Sequence, residues 1–270
     1  MLLCPICRRP LDQASDPAVA TCESGHCFNR AKEGYLNLLH SSKKGDSMGD
    51  PKAAARSRRD FLNKGYYAPL RDALVAAVRS LAAERPDDLL PLLDICCGEG
   101  YYTSALGQVI GVDAYGFDLS KEMVRLAARR GNATYFVANM KSVPVPDASF
   151  SVATCLFAPF HEDEVVRVLR PGGTLLTVVP GARHLFGLKE VLYDTPYLND
   201  EALPHAGALE LVGTQKVEAS VELASPQDIE AVFQMTPYYY RTREQDRARL
   251  AALETLATPL EFVIARYRRP

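Results

Sequence analysis

Residues 94–100 read Asp94-Ile95-Cys96-Cys97-Gly98-Glu99-Gly100 and follow an apolar run, Leu89-Leu90-Pro91-Leu92-Leu93. The pattern predicts a buried strand, then a turn of small residues, and then a helix. Gly98 and Gly100 lack a Cβ, so the backbone can approach a ligand closely there. Asp118 ends the next apolar segment, about 20 residues further on, where doubly wound sheets place a ribose-binding carboxylate. The sequence therefore predicts an adenosyl ligand at the carboxyl ends of parallel strands.

The glycine spacing disfavours a dinucleotide site. Such a site requires a third glycine inside the helix, but Tyr101-Tyr102-Thr103 follow Gly100. The order acidic-x-small-x-Gly-x-Gly resembles the first motif of class I S-adenosylmethionine methyltransferases. The resemblance implies that Asp94 faces the methionine amino group, and Cys96 stands where that family usually has glycine. The alternative interpretation is an ordinary strand, turn and helix with incidental glycines.

The rest of the large domain alternates between strands and helices, which indicates an α/β fold with a parallel sheet and right-handed crossovers. Ser120 is the expected N-cap of one helix, and 169–173 reads as a helix stop and turn. The predicted helices are 69–83, 101–108, 120–130 and 161–169, and the predicted strands are 90–96, 114–118, 133–138, 150–157, 174–179, 209–223 and 259–267.

Several other residues are candidates for the ligand site, because ligands bind at the carboxyl ends of such strands. Asn139 can meet an adenine edge, or it can simply cap a turn. Phe157 ends the fourth strand, where it can stack on an acceptor base or pack in the core. His184 follows the fifth strand and can equally be a surface histidine. Tyr238 and Arg241 belong to a run of aromatic and basic residues that forms either a stacking wall or a packed corner.

The amino-terminal segment has the spacing of a structural zinc site. Cys4-Pro5-Ile6-Cys7 is one C-x2-C pair, and 14 residues separate it from a C-x3-H pair formed by Cys22 and His26. Four protein ligands close a tetrahedral zinc shell, which predicts a structural role. Cys27 is a competing fourth ligand, and an incidental or redox-active cysteine cluster is the other alternative. We expect residues 28–39 to cap this small ribbon.

These observations suggest three parts: a zinc ribbon over 1–38, a basic linker and helix over 39–68, and the ligand-binding domain over 69–270. A segment as short as the first needs a metal to hold a core. The net charge is only −2, but residues 43–71 are locally basic. That segment either follows phosphates or is a solvated linker and helix face.

Composition and cysteine usage limit where the protein acts. Seven cysteines, an odd number, favour metal ligands in a reducing compartment over disulfides. No apolar run is long enough to span a bilayer, and no signal peptide is recognisable at the amino terminus. A cytoplasmic location is therefore the expectation.

Taken together, the motifs resemble the bacterial large-subunit ribosomal RNA guanine-N1 methyltransferases, a family that includes macrolide-resistance relatives. The resemblance covers essentially the whole chain. Besides the zinc ligands, it rests on Ala31-Lys32-Glu33-Gly34-Tyr35-Leu36-Asn37-Leu38-Leu39, Gly65-Tyr66-Tyr67-Ala68-Pro69-Leu70-Arg71, Cys97-Gly98-Glu99-Gly100-Tyr101-Tyr102, Pro180 to Leu185, and Gln234-Met235-Thr236-Pro237.

The resemblance implies a zinc ion at the four amino-terminal ligands and a homodimer that frames an RNA cleft. It also implies methylation of N1 of a guanine in a 23S rRNA hairpin, with no catalytic residue identified. Two alternatives are a small-molecule methyltransferase with a structural zinc ribbon and a non-catalytic RNA-binding relative. The residues implied to contact S-adenosylmethionine are Tyr67, Gly98, Glu99, Asp118 and His184.

Overall fold

A computed structural model of the chain describes residues 2–39, 52–84 and 89–270. Residues 40–51 of the expected basic linker lie outside the described residues. Within these ranges, no helix is long and apolar enough to cross a membrane. The strands are β1 Val19–Thr21, β2 Cys27–Asn29, β3 Leu36–Asn37, β4 Leu90–Ile95, β5 Val112–Asp118, β6 Thr134–Val137, β7 Phe150–Leu156, β8 Leu169–Pro180, β9 Glu210–Leu223 and β10 Leu256–Arg268. The α-helices are α1 Lys52–Asn63, α2 Ala68–Ala83, α3 Tyr101–Leu106, α4 Lys121–Arg130, α5 Glu162–Val168, α6 Phe186–Leu192, α7 Pro226–Gln234 and α8 Glu244–Ala251.

The large sheet has eight strands in the order β3-β6-β5-β4-β7-β8-β10-β9. Strands β4 to β8 are mutually parallel, which confirms the predicted α/β fold at the centre of the sheet. The sheet as a whole is mixed, because β10 runs antiparallel to both β8 and β9 at one end. An apolar pattern gives the position of a strand but not its direction, so the sequence could not reveal this reversal.

Two local expectations about helix ends have different outcomes. Ser120 caps α4, since its hydroxyl accepts a hydrogen bond from the Met123 amide at 3.4 Å. Helix α5 ends at Val168, one residue before the predicted end, but residues 169–173 do not form a free turn. They belong to β8 as a bulge, because Leu169 pairs with Phe150 and Thr174 already pairs with Val152.

Alternating side chains of β4 divide the core into two layers. Leu92 faces the layer that contains α2, whereas Leu93 faces the layer that contains the amino-terminal module. Both leucines are fully buried, and each burial contributes roughly 1.5–3 kcal/mol. The central sheet, and with it the edge that carries the acidic residues, is therefore covered on both faces.

The amino-terminal module is joined directly to the large sheet. Strand β3 pairs in parallel with β6, and the Leu38 amide donates to the Val137 carbonyl at 2.9 Å. Besides covering the ribbon as expected, the segment 28–39 reaches the large sheet, because Leu36 and Leu38 are buried in one core with Leu93 and with the buried leucines of the ribbon. The energy of burying these leucines draws the segment onto the sheet edge.

Candidate functional site

The four predicted zinc ligands form one cluster whose ligand atoms all lie within 4.8 Å of one another. His26 Nδ1 is 3.5 Å from Cys4 Sγ and 3.4 Å from Cys22 Sγ, and Cys7 Sγ is 3.6 Å from Cys22 Sγ. Ligands around a tetrahedral zinc ion, with bonds of about 2.0–2.3 Å, are roughly 3.5–3.8 Å apart. The donor set and its spacing therefore fit zinc.

Cys27 is excluded from this cluster. It is exposed, and its thiol donates to the Gly25 carbonyl at 3.4 Å. The sequence left His26 and Cys27 as alternatives, and the structure favours His26. A backbone hydrogen bond from Arg9 lowers the pKa of the Cys7 thiol to about 6, which favours the thiolate that a metal requires.

The two glycines after β4 have different roles. A Cβ added at Gly98, where φ is +56°, would meet no atom within 4 Å, whereas one at Gly100 would lie 2.8 Å from Ala127 Cβ. Gly98 thus opens onto free space, and Gly100 allows α3 and α4 to pack. The Asp118 carboxylate accepts from the Gly98 amide at 3.0 Å and from the Ser120 amide at 2.8 Å. An open, Cβ-free cradle with a carboxylate beside it fits an adenosyl ligand.

Asp94 is almost completely buried and its carboxylate is held by two hydroxyl groups. Thr154 donates to one oxygen at 2.6 Å, and Thr103 donates to the other. Burial raises the pKa of Asp94 to about 6, and the nearby charge of Asp118 adds to this while the threonine hydrogen bonds oppose it. Asp94 therefore ties β4 to β7 and α3. Neither threonine was predictable from the sequence, because no local pattern links it to Asp94.

Cys96 adopts a left-handed backbone conformation with φ 58°. A non-glycine residue is strained in this region, which accounts for the usual glycine at this position in the motif that the sequence resembles. Burial raises the pKa of the Cys96 thiol to about 12, with Asp118 and Asp94 contributing. The side chain is therefore a neutral thiol beside the cradle.

Three rings, those of Tyr67, His184 and Phe157, pack around Phe262 of β10 at the strand ends near the cradle. The ring of Phe262 lies 5.1 Å from that of Tyr67, 4.5 Å from that of His184 and 5.8 Å from that of Phe157. Phe157 is 44% exposed and has φ 59°, so the end of β7 turns its ring partly outward. Phe262 was missed because it enters the site only through the antiparallel insertion of β10.

Glu99 and Asn139 are both engaged in local contacts. The Glu99 carboxylate is buried against Arg130, with Nε to Oε2 at 2.5 Å, and burial raises its pKa despite this partner. Asn139 accepts from the Lys141 amide at 3.0 Å, so it does cap a turn. Asn139 follows β6 next to Asp118, whose carbonyl accepts from the Ala138 amide at 3.2 Å. Their cofactor contacts stay predictions.

Tyr238 and Arg241 lie at the corner between α7 and α8. The Tyr238 ring packs 6.1 Å from Phe233 and 6.5 Å from Tyr193, which matches the packed-corner interpretation. Arg241 is exposed and lines a shallow surface cleft with Asp194.

The fold and the site together define a class I S-adenosylmethionine-dependent methyltransferase with a zinc ribbon. A family model described as "Methyltransferase domain" matches residues 92–173, and one described as "RlmA, N-terminal" matches residues 2–46. A candidate methyltransferase structure from Bacillus halodurans superposes with a TM-score of 0.47 at 18% identity, covering 73% of this chain and 98% of that chain.

Sequence relatives define the family more narrowly. A Streptomyces fradiae protein named 23S rRNA (guanine(748)-N(1))-methyltransferase is 34% identical over 232 residues, which cover 82% of this chain and 80% of the relative. A Bacillus subtilis protein, named as a candidate 23S rRNA (guanine-N(1)-)-methyltransferase, is 32% identical over 73% of this chain and 70% of its own length. The chain belongs to the 23S rRNA (guanine-N1)-methyltransferase family.

Proposed function

We propose that this chain transfers a methyl group from S-adenosylmethionine to N1 of a guanine in a hairpin of 23S ribosomal RNA. The names of the relatives support the substrate. The observation that carries the proposal is Phe157, a partly exposed aromatic ring at the end of β7 beside the cofactor cradle. An exposed aromatic face at this edge is suited to stacking on a nucleobase.

The acceptor atom restricts how the RNA binds. N1 of neutral guanine carries a proton and takes part in base pairing, so the base must be unpaired or turned out of the helix to react. Stacking on Phe157 would hold such a base next to the cradle. Phe262, which is fully buried, packs against the Phe157 ring in a T-shaped arrangement and so limits its movement.

When bound, S-adenosylmethionine supplies an already activated methyl group. The residues of the chain therefore need mainly to orient the acceptor and to exclude water. Tyr67 and His184 are both buried, so the side of the site that they form excludes water. Burial lowers the pKa of His184 to about 3, so we assign it to positioning and not to proton uptake.

The other proposed contacts concern the wider RNA surface. Arg241 has an exposed guanidinium suited to a phosphate, and Tyr238 would support the corner that presents it. The expected basic segment contributes less to RNA binding than its composition suggests, because Lys64 forms an ion pair with the buried Asp228 at 2.6 Å. We also propose the three-part division at 1–38, 39–68 and 69–270, a homodimer and a cytoplasmic location.

The test is methyl transfer from labelled S-adenosylmethionine to 23S rRNA transcripts, followed by nucleoside analysis by mass spectrometry. The expected product is 1-methylguanosine, and Phe157→Ala should lower its yield strongly. Ile110→Ala, at an exposed side chain that precedes β5 at the opposite edge of the parallel strands, should not. Incorporation into a different nucleoside would overturn the proposed acceptor. Cofactor binding without any methylation of RNA would instead favour a small-molecule acceptor.

A further inference from the structure

A short segment of the large domain, residues 143–145, is held from two sides by arginines. From the zinc module, Arg8 Nη1 donates to the Val143 carbonyl at 3.0 Å and Nη2 donates to the Val145 carbonyl at 3.3 Å. From α5, Arg167 Nη2 donates to the Val143 carbonyl and Nη1 to the Val145 carbonyl, both at 2.9 Å. The Val145 carbonyl oxygen has two lone pairs, one for each guanidinium group. The Val143 carbonyl oxygen also accepts from the Val145 amide at 2.8 Å, so three donors share it.

The two arginines differ in what else they bind. Arg167 forms ion pairs with Glu164 at 2.7 Å and Asp147 at 2.5 Å, and its position is fixed by α5. Among the ion pairs within the described ranges, none involves Arg8. The Arg8 guanidinium therefore binds the two carbonyl groups and no carboxylate of the described residues. Next to it, the Leu3 amide donates to the Pro144 carbonyl at 2.8 Å, so the zinc module meets all three residues of the segment.

The zinc knuckle fixes the direction of Arg8. Arg8 follows the zinc ligand Cys7 directly, has φ 61°, and donates its amide to the Cys4 carbonyl at 2.9 Å. A non-glycine residue keeps such a backbone conformation only where its surroundings impose it. Here the surroundings are the knuckle turn formed by the zinc ligands Cys4 and Cys7, which imposes this conformation on Arg8.

The other end of the segment reaches the cofactor edge. Asn139 begins a turn in which its carbonyl accepts from the Ser142 amide at 3.1 Å, and Val143 follows at once. Val143 and Val145 are fully buried in the core that also contains Cys4 and Cys22. A shift of the valines would therefore move Asn139 relative to Asp118, whose carbonyl binds the Ala138 amide.

We propose that Arg8 is a positioning residue for the cofactor: the zinc knuckle, through Arg8, holds residues 139–145 in the conformation that binds the adenosyl group. This inference rests on the proposed cofactor role of that edge. It makes zinc binding and cofactor binding thermodynamically linked, so each increases the affinity for the other. The zinc ribbon then acts on cofactor binding in the large domain.

The chain offers a matched control for Arg8. Arg9 is the next residue, is also exposed, and pairs with the exposed Glu23 of the same module at 3.1 Å. Among the described residues, no hydrogen bond or ion pair joins the Arg9 side chain to the large domain. Arg9→Ala therefore removes the same charge from the same module but leaves the segment 143–145 in place. Arg8→Lys keeps the charge and can restore only one of the two hydrogen bonds.

The test is calorimetric binding of S-adenosylhomocysteine to the full-length, zinc-loaded protein and to these variants. We expect Arg8→Ala to weaken binding about five- to tenfold, as for the loss of one or two charge-assisted hydrogen bonds. Arg9→Ala should stay within about twofold of the unchanged protein, and Arg8→Lys should lie between. In steady-state assays, Arg8→Ala should raise KM for S-adenosylmethionine and leave kcat nearly unchanged.

Hydrogen exchange gives a readout that needs no cofactor. The Val145 amide, which donates to the Val143 carbonyl at 2.8 Å, should exchange faster in Arg8→Ala and not in Arg9→Ala. Equal affinity in Arg8→Ala and the unchanged protein, or an equal loss in Arg9→Ala, would overturn the inference. If the unchanged protein itself binds no S-adenosylhomocysteine, the proposed function fails as well, so the two failures are distinguishable.

Discussion

The hydroxyl of Tyr67 lies 3.2 Å from Nε2 of His184, although 117 positions separate the two residues. On the other side of the imidazole, Nδ1 accepts from the Glu261 amide at 3.4 Å. A neutral imidazole that accepts at Nδ1 carries its proton on Nε2, so His184 donates to Tyr67. The hydroxyl group of Tyr67 can then donate its own proton to a second acceptor.

We expect Tyr67→Phe to destabilise the protein by about 1–3 kcal/mol, because it leaves the buried Nε2–H of His184 without an acceptor. The free energy of unfolding in urea measures this. Tyr240→Phe is the control, since the Tyr240 side chain is 72% exposed and should change stability little. Equal losses in the two variants would show that the Tyr67–His184 hydrogen bond contributes no specific stability.

Asp94 should make stability and cofactor affinity depend on pH in opposite directions. Its pKa is about 6 in the folded chain, against roughly 3.9 when unfolded. The folded state therefore prefers the neutral acid. This stabilisation is fully present below about pH 4 and is lost as the pH rises through about 6, by about 3 kcal/mol at most. Binding of the sulfonium cofactor favours the ionised form, so affinity should rise over the same interval.

The measurement for Asp94 compares Asp94→Asn with the unchanged protein at pH 5 and pH 7.5. The variant should become relatively more stable at the higher pH, and its cofactor affinity should lose its pH dependence. Contributions of other titrating groups cancel in the difference. Titration of His184 cannot produce this pH dependence, because burial lowers its pKa to about 3, below the interval in which Asp94 titrates. A pH profile that is identical in the two proteins would contradict the assignment.

Features encoded within a few residues of one another were predictable from the sequence. The strand, turn and helix around Gly98, the cap at Ser120 and the spacing of the zinc ligands all have local signatures. Phe262 and Thr154 were missed, because their positions at the site depend on strand order and direction. The same holds for Arg8, whose partners are 135 and 137 positions away. Contacts of that kind follow from how separate segments pack, which no local pattern specifies.

Cys96→Gly should stabilise the chain relative to Cys96→Ala by about 1 kcal/mol. Alanine keeps the Cβ that is strained at φ 58°, whereas glycine does not. Part of the gain is offset by the greater freedom of glycine in the unfolded chain. Chemical denaturation of both variants isolates the backbone effect, because both lose the thiol. If alanine proves as stable as glycine, the left-handed conformation carries no cost here.

Cys27→Ser should retain one zinc ion per chain, whereas Cys22→Ser should lose it under mild chelation. Cys22 Sγ lies 3.4 Å from His26 Nδ1, and the exposed thiol of Cys27 is outside the cluster. Elemental analysis after treatment with a chelator measures the zinc. Because the two changes are the same substitution five positions apart, a general effect on the ribbon would appear in both. Loss of zinc in Cys27→Ser alone would reverse the ligand assignment.

Gly98→Ala and Gly100→Ala should separate cofactor binding from folding. The Cβ at position 98 would project into open space, so that variant should fold with only the backbone cost of a left-handed alanine, about 1 kcal/mol. It should bind S-adenosylhomocysteine at least tenfold more weakly, about the effect of losing one good contact. At position 100 the Cβ would lie 2.8 Å from Ala127 and 3.1 Å from the Tyr135 hydroxyl, which forces α3 away from α4. Overpacking of this kind costs about 1–3 kcal/mol or more. Thermal unfolding and calorimetry on both variants test the separation. A Gly98→Ala protein that binds normally would mean that the cofactor does not approach the backbone at this turn, and the cradle would then have to be placed elsewhere along the strand ends.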